Sequence, residues 1–311
     1  MRIVFAGTPG FAIHALDALL SCPDCELVGV VTQPDRRAGR GMRMQPSPVK
    51  QLALMHGLDT ITPTSLRGNV QALNWLREKR PDFLVVVAFG MLLPVSWLEV
   101  PRMAPVNVHA SLLPRWRGAA PIERALLAGD RETGVCIMHM EQGLDTGGIY
   151  ARRVVPITPT TTGGELWQRL AHEGAELLVE TLPRIVSGLK PVPQADQGVS
   201  YAAKITAEDR LVDWRKHSAI QCDRKVRCFF PRPGARCTWQ GRWLKLLAGK
   251  PLEERTDADP GTILALNDGM KLACAGGSVY GLNQVQPEGK KPMDALAFAR
   301  GARLQAGMSL H

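Results

Sequence analysis

Short runs of consecutive apolar residues alternate with amphipathic stretches through the first 180 residues of the chain. Residues 2–6, 26–32, 83–88 and 105–109 are short, mostly apolar runs rich in strand-forming side chains, which predicts buried strands. Between them, residues 11–20, 47–56 and 69–78 carry apolar positions at helical spacing, the second with Ser47 as cap and Pro48 at the first helical position. Strand and helix taking turns in this way predict an α/β domain built on a mostly parallel, doubly wound sheet.

Residues 133–140 and 149–155 add further strands. Thr162-Gly163-Gly164-Glu165 then supplies a capping box for a long helix expected to end near Ser187 and to close the first domain. Gly188-Leu189-Lys190-Pro191-Val192-Pro193-Gln194 resembles a linker, and its prolines favour an extended spacer. Past Tyr201 the pattern changes. One helix over residues 218–227 precedes short strands punctuated by Gln240-Gly241, Asn267-Asp268-Gly269 and Ala275-Gly276-Gly277, which predicts a smaller β-barrel. The expected division is a first domain over residues 1–188, a linker over 189–203 and a second domain over 204–311.

A length of 311 residues agrees with two domains, because single cores stop growing near this size. The opening apolar run is far shorter than a signal peptide's core, and no stretch reaches the roughly 20 apolar residues of a membrane span, so a cytoplasmic protein without membrane contact is expected. The seven cysteines form a single CxxC, Cys22 to Cys25; a zinc site needs a second pair, so no metal is expected. Charge changes the picture more. The net +9 is uneven: from Ser200 onward 18 Lys and Arg face 11 Asp and Glu, or +7, against +2 for residues 1–199. That asymmetry suggests a polyanionic partner held by the second domain, the alternative being a basic surface kept for solubility.

Gly7-Thr8-Pro9-Gly10 follows the first strand, where a dinucleotide fold places its phosphate-binding glycines. The spacing is GxxG, and the proline removes one backbone donor, so the glycines are expected to permit a tight turn and an oxidoreductase is disfavoured. Asn107-Val108-His109 is more informative: residues two apart on a strand share a face, so an amide and an imidazole project together at a strand's C-terminal end, where open α/β sheets bind ligands. Downstream, Gly143-Leu144-Asp145-Thr146-Gly147-Gly148 brackets a carboxylate with glycines; Asp145 could serve a pocket or merely cap a turn. His139 falls in an apolar alternation that suits packing. An amide, an imidazole and a carboxylate together suit acyl transfer. Asn107 and His109 would donate to a developing oxyanion, while Asp145 would favour a charged imidazole or accept the proton lost by an attacking amine. Ser111 lacks a GxSxG elbow and is not expected to be a nucleophile.

The segment Asn107-Val108-His109-Ala110-Ser111-Leu112-Leu113-Pro114-Arg115-Trp116-Arg117-Gly118, followed by Gly143-Leu144-Asp145-Thr146-Gly147, resembles the folate-dependent formyltransferases. The likeness extends from Phe5-Ala6-Gly7-Thr8-Pro9 to Gln286-Pro287-Glu288-Gly289-Lys290-Lys291-Pro292, nearly the whole chain. It implies a Rossmann-like catalytic domain, an oligonucleotide-binding-like C-terminal barrel, and catalysis by Asn107, His109 and Asp145. It implies 10-formyltetrahydrofolate as co-substrate, held by Ser111, Leu112, Leu113 and Pro114, with an apolar wall from residues 83–93 that includes Phe89, Gly90 and Leu92. Within the family the chain looks like the members whose acceptor is methionine carried by initiator tRNA, acting as a monomer.

Residues 34–43 hold four arginines, one aspartate and two glycines, which predicts a mobile cationic loop; in the family this loop meets the tRNA, through Arg36, Arg37, Arg40 and Arg43 here, Arg40 being the preferred recognition residue. The likeness departs at Phe230 and Arg232, which stand where the family usually has asparagine before the first proline and tryptophan between the prolines. A small amine acceptor, a non-catalytic RNA-binding protein and a hydrolase of formyl-folate are the competing readings. The basic loop and the +7 region weigh against the first, and the intact trio against the second.

Overall fold

The computed structural model describes residues 1–38, 41 and 43–311, with the main chain alone at Ala38. In chain order its elements are β1 (Arg2–Gly7), α1 (Phe11–Ser21), β2 (Glu26–Val31), β3 (Arg36–Ala38), β4 (Arg43–Gln45), α2 (Pro48–Met55), β5 (Thr60–Ile61), α3 (Val70–Glu78), β6 (Phe83–Val87), α4 (Val95–Leu98), β7 (Ala104–His109), β8 (Arg117–Gly118), α5 (Pro121–Ala128), β9 (Glu132–His139), β10 (Ile149–Pro156) and α6 (Gly163–Val186). There follow β11 (Tyr201–Ala202), α7 (Ala219–Phe229), β12 (Ala235–Trp239), β13 (Arg242–Arg255), β14 (Ile263–Leu266), β15 (Met270–Cys274), β16 (Ser278–Pro287), β17 (Met293–Asp294) and α8 (Ala295–Ala302). The chain forms two compact units. One comprises Met1–Pro121, Glu132–Pro156 and Trp167–Ala202; the other comprises Ile122–Arg131, Ile157–Leu166 and Ala203–His311.

The first unit carries a seven-stranded sheet in the order β10-β9-β7-β6-β1-β2-β5. From β7 to β5 all neighbours are parallel, whereas β9 runs antiparallel to β7 and β10 antiparallel to β9. The α/β, mostly parallel architecture expected from the apolar runs is therefore present, with every residue of β6 buried. Chain order reverses on either side of β1, which opens a crevice beyond the carboxyl ends of β1 and β6. Helices cover both faces. Gly29 on β2 leaves room for the Trp75 ring of α3, since a Cβ there would lie 2.6 Å from the ring; on the other face Gly174 of α6 sits over Val108, where a Cβ would come within 2.8 Å of Cγ1. Arg153 of β10 reaches three turns of α6, bonding Glu173, Glu176 and Glu180 at 2.8–3.1 Å. The α6 capping box forms as its sequence predicts, with the Thr162 N–H donating to Glu165 Oε2 at 2.9 Å and the Glu165 N–H to Thr162 Oγ1 at 3.3 Å.

Two local expectations change. The cationic stretch over 34–43 is not wholly loop: Arg36 pairs with Gln45 and Arg37 with Met44 in a two-stranded ribbon. Arg40 lies outside the described residues. The proline-rich stretch after α6 is tied down by a bridge from Val192 to Ile149, its two N–H···O bonds measuring 2.8 and 2.9 Å.

The second unit is an antiparallel sheet in the order β12-β13-β16-β15-β14, with β17 pairing β16. Register shifts along the 14-residue β13 mark bulges that bend the strand, as a small curled sheet requires. Trp214, Leu246, Leu272 and Tyr280 fill its interior. Helix α7 begins with a capping box, Ser218 and Gln221 each bonding the other's main chain. Arg124 of α5 forks onto Asp209 at 2.7 and 3.1 Å within the same unit. Among the described residues no helix is long and apolar enough to cross a membrane.

Gly7 shows why the first turn needs glycine. A Cβ there would meet Phe5 at 2.7 Å, Ala12 at 2.8 Å and the Val87 carbonyl oxygen at 3.0 Å. Gly7→Ala should therefore cost about 1–3 kcal/mol of stability by overpacking; an unchanged denaturant midpoint would refute this. The Arg124 guanidinium bonded to Asp209 holds its carboxyl down to about 2 from an ordinary 3.8. A depressed carboxyl contributes stability above its unfolded value that is lost as pH falls through the folded one. Asp209→Asn should thus lower the melting temperature at neutral pH, and the gap from wild type should close between about pH 4 and pH 2. A gap constant over that range counts against the pair.

Candidate functional site

Asn107 and His109 stand on the last turn of pleat of β7. Val108 between them turns to α6, leaving the amide and the imidazole on the opposite face. Asn107 lies opposite Val86 on β6 and Met138 on β9, is part exposed, and its carboxamide makes no hydrogen bond to any described residue. His109 is only 5% exposed. Its Nε2 is 2.9 Å from the Trp116 carbonyl oxygen, which can only accept, so Nε2 carries a proton and Nδ1 is the nitrogen free to gain or lose one. Nδ1 faces Asp145 Oδ2 at 3.7 Å.

The route by which Asp145 arrives is indirect. Because β9 is antiparallel, His139 at its end lies beside Val106, and β10 restarts with Ile149 beside Met138, so residues 140–148 both leave and rejoin the sheet well short of His109. The loop then folds back toward the end of β7. Asp145 adopts the left-handed conformation at φ 52°, and Gly143 lies at φ 136°, a region open to glycine. The Gly118 N–H donates to Asp145 Oδ2 at 2.8 Å, fixing the oxygen that faces His109. Gly118 itself belongs to β8, which pairs with β11. Gln194 clamps the loop: its Nε2 donates to the carbonyls of Asp145 and Gly147, both at 2.8 Å, and its Oε1 accepts from Arg117 at 2.7 Å.

Gln194, Ser200 and the Trp116 carbonyl escape the sequence reading. Ser200 accepts from the Trp116 N–H at 3.0 Å and so helps place the carbonyl that binds His109. Nothing in the composition of residues 188–194 marks Gln194, although Arg117-Gly118, its neighbours in space, stand inside the motif that carries the family likeness.

The remaining predicted residues are differently placed. Ser111 is buried and donates its hydroxyl to the Arg115 carbonyl at 2.6 Å; Leu113 is buried among Cys136, Met138 and Ile149. Leu112 is half-buried over Gly134, and Pro114 is half-buried with its carbonyl accepting from the Ser200 N–H. Residues 83–87 are core, so of the predicted apolar wall only residue 88 and residues 90–93 reach the surface. There Phe89 is buried and its carbonyl accepts from Thr8 at 2.8 Å and Gln33 at 2.9 Å, Gly90 is exposed at φ 76°, and Leu92 is 89% exposed. Arg36, Arg37 and Arg43 are exposed on the ribbon. His139 bonds the Tyr150 hydroxyl at 3.0 Å through Nδ1, and burial lowers its pKa, so it stays neutral in a packing role. Among the described residues no group of three or more His, Cys, Asp or Glu is placed to hold a metal. A free amide donor beside an imidazole backed by an oriented carboxylate can steady an oxygen that gains negative charge and can relay a proton.

Residues 1–182 match the family described as Formyl transferase, and residues 204–303 match Formyl transferase, C-terminal domain. The methionyl-tRNA formyltransferase of Magnetococcus marinus is 49% identical over 99% of this chain and 98% of its own length; that of Symbiobacterium thermophilum is 45% identical over 99% and 94%. In backbone, the chain is similar to an N-formyltransferase from Helicobacter canadensis solved with folinic acid and dTDP-3-aminofucose, at a TM-score of 0.66, 16% identity, and coverage of 91% of this chain and 99% of that one. The methionyl-tRNA formyltransferase from Clostridium thermocellum gives a TM-score of 0.56 at 14% identity, over 83% and 97%. With both family segments matched and nearly half of all positions identical to full-length relatives, this chain belongs to the formyl transferase family and is a formyltransferase enzyme.

Proposed function

We propose that the protein transfers a formyl group from 10-formyltetrahydrofolate to the free amino group of methionine carried by initiator tRNA, in the cytoplasm, in support of translation initiation. The observation that carries the chemistry is the held pair: Asp145 Oδ2, fixed by the Gly118 N–H, 3.7 Å from His109 Nδ1, beside an Asn107 carboxamide with no hydrogen-bond partner among the described residues. The acceptor is supported by full-length relatives named methionyl-tRNA formyltransferase, and by a C-terminal region carrying +7. The expected domain roles follow: catalysis over residues 1–188, a connection over 189–203, and RNA binding over 204–311, with Arg36, Arg37, Arg40 and Arg43 also gripping the tRNA.

The residues present fit a folate donor. The crevice edge at 88–93 offers an exposed Leu92 and, at Gly90, main chain without a side chain, which suits close approach of a flat heteroaromatic ring. Ser111, Leu113 and Phe89 bury their side chains and would shape this edge through the main chain, with Leu112 and Pro114 half-exposed beside them.

Asn107 donates a hydrogen bond to the formyl oxygen as the amine nitrogen attacks the formyl carbon and the C=O electron pair moves onto that oxygen. Asp145 accepts the proton lost by the attacking nitrogen. The oxygen's electron pair then re-forms the C=O while the carbon–folate nitrogen bond breaks, and His109, protonated at Nδ1, gives its proton to the departing nitrogen. Passage of the proton from Asp145 to His109 across the 3.7 Å gap restores the starting state. No enzyme-bound acyl group is needed.

Replacing Asn107, His109 or Asp145 by alanine should each lower formyl transfer by about a hundredfold or more while tRNA affinity stays within a few-fold, as expected when a transition-state contact is lost; unchanged turnover in all three would sink the mechanism. Small amines offered in place of charged tRNA should react poorly, and efficient formylation of them alone would reassign the acceptor. Gln194 is a positioning residue. Gln194→Glu keeps the acceptor for Arg117 but loses the donor to two carbonyls, so it should fall in kcat with Gln194→Ala, by about tenfold or more, with KM for tRNA little changed. Wild-type kcat in Gln194→Glu would show that the clamp does not position Asp145.

A further inference from the structure

On the second unit a cavity of about 230 Å³ is lined by four basic side chains, Arg210, Arg236, Lys245 and Lys290, against one carboxylate, Glu288. Its floor is a row across three strands: Arg236 of β12 stands directly opposite Lys245 of β13, which stands opposite Gln286 of β16. Like charges directly opposite on adjacent strands destabilise a sheet, so the arrangement is unfavourable unless something of opposite sign sits over it. The Arg236 guanidinium stacks on Trp243 at 3.7 Å from the ring centroid, yet its Nε is buried and without a hydrogen-bond partner among the described residues. Such a group is costly to leave unmet.

Arg210 joins them from the preceding segment. Its Nε donates to the Gly234 carbonyl at 3.1 Å and its NH2 to the Pro233 carbonyl at 3.2 Å, which fix the guanidinium without neutralising it. Burial, and after it the proximity of Arg236, lower its pKa, the direction expected of a cation beside another cation. The turn that closes the cavity is the Gln286-to-Lys291 motif, shaped by a bond from Gln286 Nε2 to the Lys290 carbonyl at 2.8 Å and from the Glu288 N–H to the Trp243 carbonyl at 3.1 Å. Lys290 is exposed at the rim, as is Glu288, the single carboxylate of the lining, which forms no ion pair within 4 Å among the described residues.

We infer that this cavity is a phosphate-binding site in which Arg236, Arg210, Lys245 and Lys290 hold one backbone phosphate of the RNA partner, with the exposed edge of Trp243 offering a surface for the adjoining sugar or base. The inference rests on the RNA acceptor proposed above. A guanidinium held flat on an aromatic ring presents its fork edge-on, which suits bidentate grip of a phosphate better than a flexible ammonium does.

The test compares full-length wild type with the double variant Lys245→Gln/Lys290→Gln, and with a control, Lys204→Gln/Lys216→Gln, that removes equal charge from exposed positions of the same unit outside the cavity. The dissociation constant for uncharged initiator tRNA is measured across a salt series, and binding of inorganic phosphate by calorimetry. Loss of a phosphate contact should weaken tRNA binding about tenfold and flatten the slope of log affinity against log salt by about one per lysine that touches phosphate. The control should change less on both counts. Arg236→Lys, which keeps charge but not the fork, should fall between wild type and the double variant. Equal loss in the cavity variant and the control, or no loss in either, would overturn the site in favour of a diffuse field. Phosphate binding abolished in the cavity variant with tRNA affinity unchanged would make it a free-phosphate site and overturn the RNA source. If wild type itself fails to bind tRNA, the acceptor reading falls; if wild type binds and the cavity variant matches it, the inference alone falls.

Discussion

A carboxylate on a loop is useful to a histidine only if something stops it turning to water, and here one main-chain donor does so. The Gly118 N–H bonds Asp145 Oδ2 at 2.8 Å and aims that oxygen at His109 Nδ1. The donor has its own support, since β8 pairs with β11 and a Cβ at Gly118 would lie 3.0 Å from the Ala202 carbonyl oxygen. Gln194 holds the other side of the loop through two carbonyls. A charge-assisted bond of this kind is roughly twice as strong as a neutral one, and the left-handed backbone at Asp145 is a strain that such contacts must offset. Residues from three separated stretches, 117–118, 143–148 and 194–202, thus act on one oxygen atom. On the proposed chemistry, that oxygen both receives a proton and hands it on.

The legible parts of the sequence are those where a period or a cap is local. Six strands and five helices are foreseen within two or three residues of their ends, because apolar runs, Ser47-Pro48, Thr162 to Glu165 and Ser218 to Gln221 all act over one or two turns. Asn107 and His109 share a face by the alternation of a strand, so their pairing is written in two positions of spacing. The direction of β9 is not written anywhere nearby. A strand pairs either way with the same apolar pattern, and only the antiparallel choice makes residues 140–148 fold back toward His109. Gln194 is hidden for a related reason: the prolines around it describe how the main chain extends, not that Val192 will pair with Ile149 and set the amide over a loop nearly fifty residues earlier.

Short elements form the second class of surprise. The β3–β4 ribbon has only a few paired residues, most of them charged or polar, and nothing in arginine-rich composition predicts a ladder. Helix α5, absent from the expected pattern, carries start signals in Pro121 at its first position and Glu123 in its first turn, and is held by tertiary bonds from Arg124 to Asp209 and from Arg224 to the Ala128 carbonyl. Helices this short are marginal alone and take their stability from packing, which a single stretch of sequence does not display.

On the proposed function, the two units also divide the physics of recognition. In the first, a few groups are held by main-chain and side-chain bonds within fractions of an ångström, as chemistry on one carbon requires. In the second, net charge of +7 over the C-terminal region acts at a range set by salt, about 8 Å at physiological ionic strength, and discriminates poorly by itself. A diffuse field brings any polyanion near. Fixed geometry must be added to it before one nucleic acid is preferred to another, and on the inference above the Arg236–Trp243 stack supplies it: a guanidinium held on a ring, with an Nε that has no hydrogen-bond partner among the described residues, presents its fork in one direction. Charges that merely solvate a surface need no such locking, because a mobile lysine serves solubility as well as a rigid one and keeps its side-chain entropy.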